Sequence, residues 1–279
     1  MRPVFFLSDF GLADPFVGTC HAVMKRIVPG LDVIDLTHGI APQQVLQGAL
    51  ALQDAASYLP GDAIVLAVVD PGVGGARRAI AVRGADRRFY VGPDNGLLLL
   101  AAERMGPLFE ARELADPRYR LEPVSATFHG RDVFAPAAAH LAAGVPLSEL
   151  GPAVDPSLLA RLDVSAPVVA PGLVRAVVVA VDRYGNLQLA AGAEDLVAAG
   201  FVPGSRVAVE PAGATPAAPD DAGPAEATVG RTFADVEPGA LLIHNDSSGR
   251  LAVAVAGGSA AERLGLAAGD AVVLARPGA

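Results

Sequence analysis

The chain has 279 residues, which is enough for one large domain or two ordinary ones, and 52% of them are hydrophobic. Its 21 basic and 30 acidic side chains give a net charge of −9, which argues against a nucleic-acid-binding surface, since that requires clustered basic residues. No apolar run reaches the roughly 18 residues of a membrane span. The single cysteine, Cys20, excludes an internal disulfide and a cysteine-rich metal site. We expect a cytoplasmic protein with no membrane partner.

The first half of the sequence alternates short apolar runs with segments of helical length. The predicted strands are Val4–Leu7, Val33–Leu36, Ile64–Val69, Ile80–Val82 and Phe89–Val91. The predicted helices are Phe16–Ile27, Gln43–Tyr58, Asn95–Met105 and Asp132–Ala143. This alternation predicts an α/β domain over residues 1–165, with a mostly parallel sheet covered by helices on both faces.

The second half has a different pattern. Pro and Gly residues in Ser165–Gly172 predict a linker. The Val-rich runs that follow predict a smaller all-β domain over residues 172–279, either a sandwich or a small barrel. Its predicted strands are Leu173–Val181, Leu187–Leu189, Arg206–Val209, Leu241–Ile243, Leu251–Ala256 and Ala271–Leu274. The segment Ala212–Ala227 is rich in Ala, Pro and Asp and is expected to be a mobile surface loop.

Two aspartates follow predicted parallel strands at the end where open α/β sheets bind ligands. Asp9 comes after the first strand and is either a turn former or an acceptor for ribose hydroxyls. Asp70 comes after the third strand and precedes a glycine-rich turn, with Arg77 a few residues further on. A nearby guanidinium favours the charged form of a carboxyl group. Asp70 is therefore either part of a structural ion pair or a functional carboxylate.

The other polar segments indicate a function less specifically. The glycine-rich turn lacks the Gly-Lys-Ser/Thr ending of a phosphate-binding loop. His129 stands just before a predicted helix and beside Gly130, where it could face a cleft, although most lone histidines are structural. No histidine pair has the helical spacing of a zinc motif, so we expect no metal. Asp182–Asn186 could be a tight turn, or could present Tyr184 for stacking on a base. The polar turn over residues 244–249 is equally ambiguous.

Taken together, these segments resemble the S-adenosylmethionine hydroxide adenosyltransferases, a family related to the bacterial fluorinase and chlorinase. The resemblance covers nearly the whole chain. The matching stretches, in order, are SDFG (8–11), DPFVG (14–18), VIDLTHGIAPQ (33–43), VVDPGVGGARRAIAV (68–82), GPDNGLL (92–98), TFHGRDVFAPAAAHLAAG (127–144), DRYGNLQ (182–188), and TFADVEPG with NDSSGRLAVAV beyond it. The resemblance implies an α/β domain followed by a β-barrel-like domain, and a homotrimer with its ligand at a subunit interface.

The resemblance also assigns roles to individual residues. Asp70, Arg77 and His129 match the catalytic set of the hydrolytic branch, and Asp9 matches the carboxylate that binds the ribose hydroxyls. The other implied substrate-binding residues are Asn95, Asp182, Tyr184, Asn186, Ser247, Ser248 and Ala260. Residues 257–261 read GGSAA, where the family usually has an Asn before the Ala pair, so the match at Ser259 and Ala260 is less complete.

The implied reaction is hydrolysis of S-adenosyl-L-methionine to adenosine and L-methionine, by attack of a water-derived nucleophile at the ribose C5′ carbon, without a cofactor. The halogenase relatives carry a Tyr in place of Asp70 and lack the histidine at His129. A carboxylate at this position would repel an incoming halide. The alternatives are an S-adenosylmethionine-dependent halogenase and a non-catalytic S-adenosylmethionine or adenosine sensor. A nucleoside hydrolase would need an aspartate cluster that Asp9 and Asp14 alone do not make.

Overall fold

The computed structural model describes residues 1–212 and 225–278. The chain divides into two compact units, Met1–Leu162 and Asp163–Ala279. Across the described residues, none of the helices has the length and apolar character needed to cross a membrane.

The first unit is built around a mixed sheet. Its strands are β1 Val4–Ser8, β2 Val33–Thr37, β3 Ile64–Val68, β4 Ala79–Gly84, β5 Phe89–Pro93, β6 Leu108–Glu113 and β7 Ala153–Val154. Within the described part of the chain, their order across the sheet is β2-β1-β3-β5-β4-β6-β7. The first four strands in this order pair in parallel, whereas β4, β6 and β7 pair in antiparallel fashion. The carboxyl ends of β1 and β3 therefore lie at the same edge of the sheet.

Helices cover both faces of this sheet. They are α1 Phe16–Ile27, α2 Val45–Ala56, α3 Leu99–Arg104 and α4 Ala135–Ala142, and α4 continues from a π-helical turn over Gly130–Phe134. Successive side chains of a strand point to opposite faces. Phe6 accordingly enters the core shared with α1 and α4, and its neighbour Leu7 enters the core shared with α2 and α3. Apolar packing on both faces fixes the register of the central strands.

The described residues of the second unit form a β-barrel with two short helices. Its strands are β8 Val168–Ala170, β9 Leu173–Val181, β10 Leu187–Gly192, β11 Arg206–Pro211, β12 Ala225–Val229, β13 Leu241–Asn245, β14 Arg250–Val255 and β15 Ala271–Ala275, and its helices are α5 Ala193–Ala198 and α6 Ala260–Leu264. The described strands run in the order β10-β14-β13-β12-β11-β15-β9-β8, and pairing of β10 with β9 closes seven of them into a barrel. Side chains such as Val178, Leu189 and Val253 fill the interior.

The predicted fold class is confirmed: an α/β unit with parallel core strands precedes an all-β barrel. The sheet is less parallel than expected, because β4 runs antiparallel to β5, and β6 and β7, which the sequence analysis missed, extend the antiparallel half. The expected linker also needs correction, since Val168–Ala170 forms β8 on the edge of β9. Of the expected loop Ala212–Ala227, residues 213–224 lie outside the described residues, and Ala225–Ala227 belong to β12.

Three predicted helices begin elsewhere. The helix predicted from Asn95 begins at Leu99, after Gly96 at φ +91°. Helix α2 begins at Val45 rather than Gln43, because Gln43 is held at φ +67° with its backbone N–H donating to Asp9. The helix predicted from Asp132 begins instead as the π-helical turn at Gly130. Pro136 has no N–H to donate to the Asp132 carbonyl, and that oxygen accepts from the backbone of Leu121 at 2.8 Å.

Candidate active site

Asp70 leaves the sheet between two parallel neighbours and enters a tight glycine-rich turn. Gly74 in this turn has φ +73°, a conformation that L side chains rarely adopt, and a Cβ there would collide with the Ala126 carbonyl oxygen. The turn is therefore packed directly against the segment that leads to His129. The apolar strand β3, the glycine turn and this segment together define where the Asp70 carboxylate lies.

Arg77 returns from the far side of this turn and binds Asp70 through two nitrogens. Its Nε lies 3.0 Å from both carboxylate oxygens, and its Nη2 donates to Oδ2 at 2.5 Å. The two side chains are largely buried, with 6% of the Asp70 side chain and 11% of the Arg77 side chain exposed. The guanidinium carbon also lies 5.3 Å from the centre of the Phe134 ring. A buried bidentate pair of this kind holds both groups in one orientation.

The same Nη2 of Arg77 lies 2.8 Å from Nδ1 of His129. A guanidinium can only donate hydrogen bonds, so Nδ1 accepts this one and the imidazole is neutral, with its proton on Nε2. Burial, together with the positive charge of Arg77, lowers the pKa of His129 below its ordinary value of 6.5. His129 thus offers an N–H donor at its free nitrogen, and Arg77 joins it to the Asp70 carboxylate.

Asp9 lies at the same sheet edge as Asp70. Strands β1 and β3 pair in parallel with Ser8 opposite Val68, and the Asp9 N–H donates to the Val68 carbonyl at 3.3 Å. The Asp9 Oδ2 accepts from the backbone N–H of Gln43 at 2.8 Å, leaving Oδ1 for another donor. The carboxylate therefore has one oxygen committed to the fold and one available for a ligand.

Asn95 is held by the backbone next to Asp70. Its Nδ2 donates to the Val69 carbonyl at 2.8 Å, and its Oδ1 accepts from the Leu97 N–H at 3.1 Å. These contacts fasten the loop after β5 to the residue that precedes Asp70. A role for Asn95 in substrate binding remains a prediction.

The second unit contains a cavity of about 770 Å³. It is lined by Asp182, Tyr184, Asn186, Gln188, Arg231, Thr232, Phe233, His244, Asn245, Asp246, Ser247, Ala252, Val255, Gly257, Gly258 and Ser259. Four of the sequence-predicted substrate residues, Asp182, Tyr184, Asn186 and Ser247, are in this lining. Ser248 adjoins it, and the side chain of Ala260 is fully buried. The barrel therefore brings two polar turns that are distant in sequence around one cavity.

A hydrogen-bonded turn shapes one wall of this cavity. Asp182 Oδ1 accepts from the backbone N–H groups of Tyr184 and Asn186, at 2.8 and 3.0 Å, and its Oδ2 accepts from the Asn186 side chain at 2.7 Å. Tyr184 projects outward with 79% of the residue exposed. Gly185 has φ +80°, and a Cβ there would collide with Ser259. Asp182 thus organises the turn, and Tyr184 presents an aromatic surface.

The sequence analysis did not select Phe233 or His244, both of which line the cavity. Phe233 is 44% exposed, and the centre of its ring lies 5.3 Å from that of the His244 ring, edge to face. Phe233 belongs to the TFADVEPG stretch, which contributed to the family resemblance. An aromatic residue within that stretch was the signal that could have identified it, because base-binding sites commonly use aromatic faces.

The chain thus combines an α/β unit that carries an Asp–Arg–His cluster at the edge of its sheet with a β-barrel unit that carries a ligand-sized cavity. The model for the SAM hydroxide adenosyltransferase N-terminal domain matches residues 4–151, and the model for the C-terminal domain of the same family matches residues 176–273. The chain belongs to the SAM hydroxide adenosyltransferase family.

Similar proteins carry two kinds of name. The chain is 49% identical to an (R)-S-adenosyl-L-methionine hydrolase from Salinispora tropica, covering 96% of this chain and 95% of the relative, and 45% identical to one from Thermus thermophilus, covering 98% and 100%. It is 30% identical to a fluorinase from Actinoplanes, covering 71% and 74%. A solved structure of an uncharacterized conserved protein from Thermotoga maritima matches with a TM-score of 0.87 at 35% identity, covering 98% of this chain and all of that one.

Proposed function

We propose that this protein hydrolyses S-adenosyl-L-methionine to adenosine and L-methionine. The observation that carries the proposal is the continuous set of contacts from Asp70 through Arg77 to His129. Three relatives named hydrolase are 45–49% identical over nearly the whole chain, whereas three relatives named fluorinase are 29–30% identical. A carboxylate at this position favours water over halide, because the negative charge would repel an incoming anion.

We assign different tasks to the three residues on the basis of their contacts. Each Asp70 oxygen bound to Arg77 retains acceptor capacity, so the carboxylate orients a water and draws its proton during attack. The His129 Nε2–H is a donor, so the imidazole holds the water rather than deprotonating it. Arg77 fixes the orientation of both. In this proposal Asp70 is the base.

The chemistry of the substrate explains why these groups suffice. The leaving group is the neutral thioether of methionine, which departs without a proton, so no general acid is needed. A hydroxide-like nucleophile and a sulfonium lose their charges as they react, which a water-poor pocket favours. Holding the water in line with the C5′–S bond supplies a further share of the rate.

We also propose that the protein acts as a homotrimer in the cytoplasm. Asp9 and Asp70 lie in the first unit, and the cavity lined by Asp182 and Ser247 lies in the second. A ligand shared between the first unit of one subunit and the second unit of its neighbour would use both sets of residues. The low cysteine content suits a reducing compartment.

The direct experiment is incubation of purified protein with S-adenosyl-L-methionine, followed by chromatography. We expect adenosine and methionine in equal amounts, with turnover retained when a chelator is present. Arg77→Lys should lose most of the activity, because a single ammonium cannot bind Asp70 in bidentate fashion and also reach His129. Arg78→Lys is the matched control, since Arg78 instead pairs with Asp94 at 2.7 Å. Release of adenine, or equal activity of the two variants, would refute the proposal.

A further inference from the structure

We infer that His21, Asp35 and His38 form a zinc site, separate from the residues assigned to the reaction. His21 lies on α1, Asp35 on β2, and His38 directly after β2. One ligand atom from each residue lies within 4.8 Å of the other two. The sequence analysis expected no metal because these residues lack a helical zinc-motif spacing. The fold brings them together from a helix, a strand and a turn.

Both imidazoles lie close to the same Asp35 oxygen. Nε2 of His21 lies 2.8 Å from Asp35 Oδ1, and Nε2 of His38 lies 3.1 Å from the same oxygen. Zinc bound tetrahedrally at about 2.0–2.1 Å from nitrogen and oxygen ligands separates its ligand atoms by roughly 3.3 Å. The two measured separations need to lengthen only slightly to admit the ion. Three protein ligands would leave the fourth position for water.

His38 supplies the observation that points to a ligand. This residue is 95% buried, being only 5% exposed, and within the described chain its Nε2 makes no hydrogen bond. The Asp35 carboxylate oxygen, at 3.1 Å, is within ion-pair distance of this nitrogen. A buried nitrogen without a hydrogen-bond partner is costly, and a metal ion would remove that cost by accepting its lone pair.

The surroundings of His38 also fit a metal ligand. Its Nδ1 lies 2.7 Å from Ser8 Oγ, and its ring packs edge-on against Phe6 at 4.7 Å. Histidines that bind metals usually donate their other ring N–H to an oxygen, which fixes the tautomer and the ring orientation. Ser8 Oγ also accepts from the Phe10 N–H at 3.2 Å, and a hydroxyl oxygen can accept twice.

The chemistry of the three ligands indicates which metal the site would bind. Two imidazoles and one carboxylate suit zinc and other late divalent transition metals, whereas magnesium and calcium prefer oxygen ligands. Because the three ligands come from α1, β2 and the turn after β2, bound zinc would cross-link helix and sheet in the native state. We therefore assign this site a stabilising role.

The test uses the full chain after chelator treatment and dialysis, titrated with zinc chloride by calorimetry and, in parallel, with magnesium chloride. We expect one zinc per chain, no magnesium binding, and a higher melting temperature with zinc. His21→Gln and Asp35→Asn each remove one ligand from a partly exposed side chain, and His140→Gln is the control histidine of the same unit. Loss of a ligand should weaken zinc binding by more than the ~100-fold upper range for outer-shell changes.

Circular dichroism of each variant checks that the fold is retained. Absence of zinc binding by the wild-type chain would overturn the inference, as would undiminished binding in both His21→Gln and Asp35→Asn. Equal loss in His140→Gln would place the zinc elsewhere and also overturn it. The outcome is independent of the hydrolase proposal, since the two sites share no residue.

Discussion

At the scale of single residues, the buried ion pair between Asp70 and Arg77 contributes little to the free energy of folding. Removing two charges from water costs several kcal/mol for each ion in real proteins, and mutual attraction repays this only when the geometry is excellent. The pair is nonetheless buried, bidentate and extended to His129. A costly arrangement at the ligand-binding edge of an α/β sheet is explained by chemistry better than by folding.

The substitution Asp70→Asn tests whether the charge of the Asp70 carboxylate serves the reaction. The substitution keeps the shape and one acceptor oxygen but removes the charge, so the single-turnover rate should fall by roughly 10²–10⁴, the usual contribution of a general base. Asp86→Asn is the control, because Asp86 pairs with buried Arg88 at 3.1 Å in the turn between β4 and β5. That control should alter stability and leave turnover nearly unchanged. An unaltered single-turnover rate in Asp70→Asn would remove Asp70 from the mechanism.

The protonation state of His129 predicts how kcat/KM depends on pH. Its neutral form is the one that accepts from Arg77, and burial and the charge of Arg77 lower its pKa from 6.5. A lowered pKa keeps the imidazole neutral to more acidic pH, so kcat/KM should hold constant from neutral pH down past 6.5 and decline only below that value. His129→Gln should lose this decline together with much of the rate. A decline centred at or above 6.5 in the wild type would contradict the assigned protonation state.

At the scale of elements, the glycine-rich turn after β3 allows a prediction about the stability of the fold. Gly74 combines φ +73° with a close approach to the Ala126 carbonyl, whereas Gly144 combines φ +98° with open space. Both Gly→Ala substitutions strain the backbone, but only the one at Gly74 also creates a clash. We expect Gly74→Ala to lower the free energy of unfolding by about 1–3 kcal/mol more than Gly144→Ala, as overpacking usually does. Urea unfolding measures the free energy of unfolding of both variants. Equal losses would show that the turn shifts to accommodate the added methyl group and would contradict the prediction.

Elements whose signal is local could be predicted from the sequence. The β1 and β3 runs and the following aspartates were identified because apolar strands end abruptly at polar, glycine-containing turns. The start of α2 could not be found this way, because it depends on a hydrogen bond from Gln43 to Asp9, 34 residues away. Strand β7 has two residues and is defined by pairing with β6. Long-range pairing leaves little trace in local sequence pattern.

The candidate site also combines residues that the sequence pointed to with residues that only the fold brings together. Asp70 was singled out by its place after a predicted strand, and the resemblance grouped it with Arg77 and His129. The structure gives a physical reason for the grouping, since Arg77 contacts both partners. Phe233 and His244 were not selected, because an isolated Phe and the first residue of an ambiguous polar turn give no local sign that the barrel brings them to one cavity. The proximity of His21 to His38 was invisible in the sequence, since α1 and the end of β2 meet only in the folded sheet.

At the scale of the whole molecule, the candidate residues are divided between two units. If subunits share their sites, mixing an inactive Asp70→Ala chain with an inactive Ser247→Ala/Ser248→Ala chain should restore part of the activity, because some mixed trimers contain one intact site. Light scattering should report a trimer. Verified mixed trimers without recovered activity would show that each chain builds its own site.

The central claim is that water attacks the ribose C5′ carbon of S-adenosyl-L-methionine. Hydrolysis of S-adenosyl-L-methionine in ¹⁸O-labelled water, followed by mass spectrometry of the nucleoside, tests it most directly. The account predicts that adenosine acquires one labelled oxygen at its 5′-hydroxyl while the methionine remains unlabelled, with or without added chloride. Unlabelled adenosine, or a 5′-chloro nucleoside formed at a comparable rate when chloride is present, would contradict it.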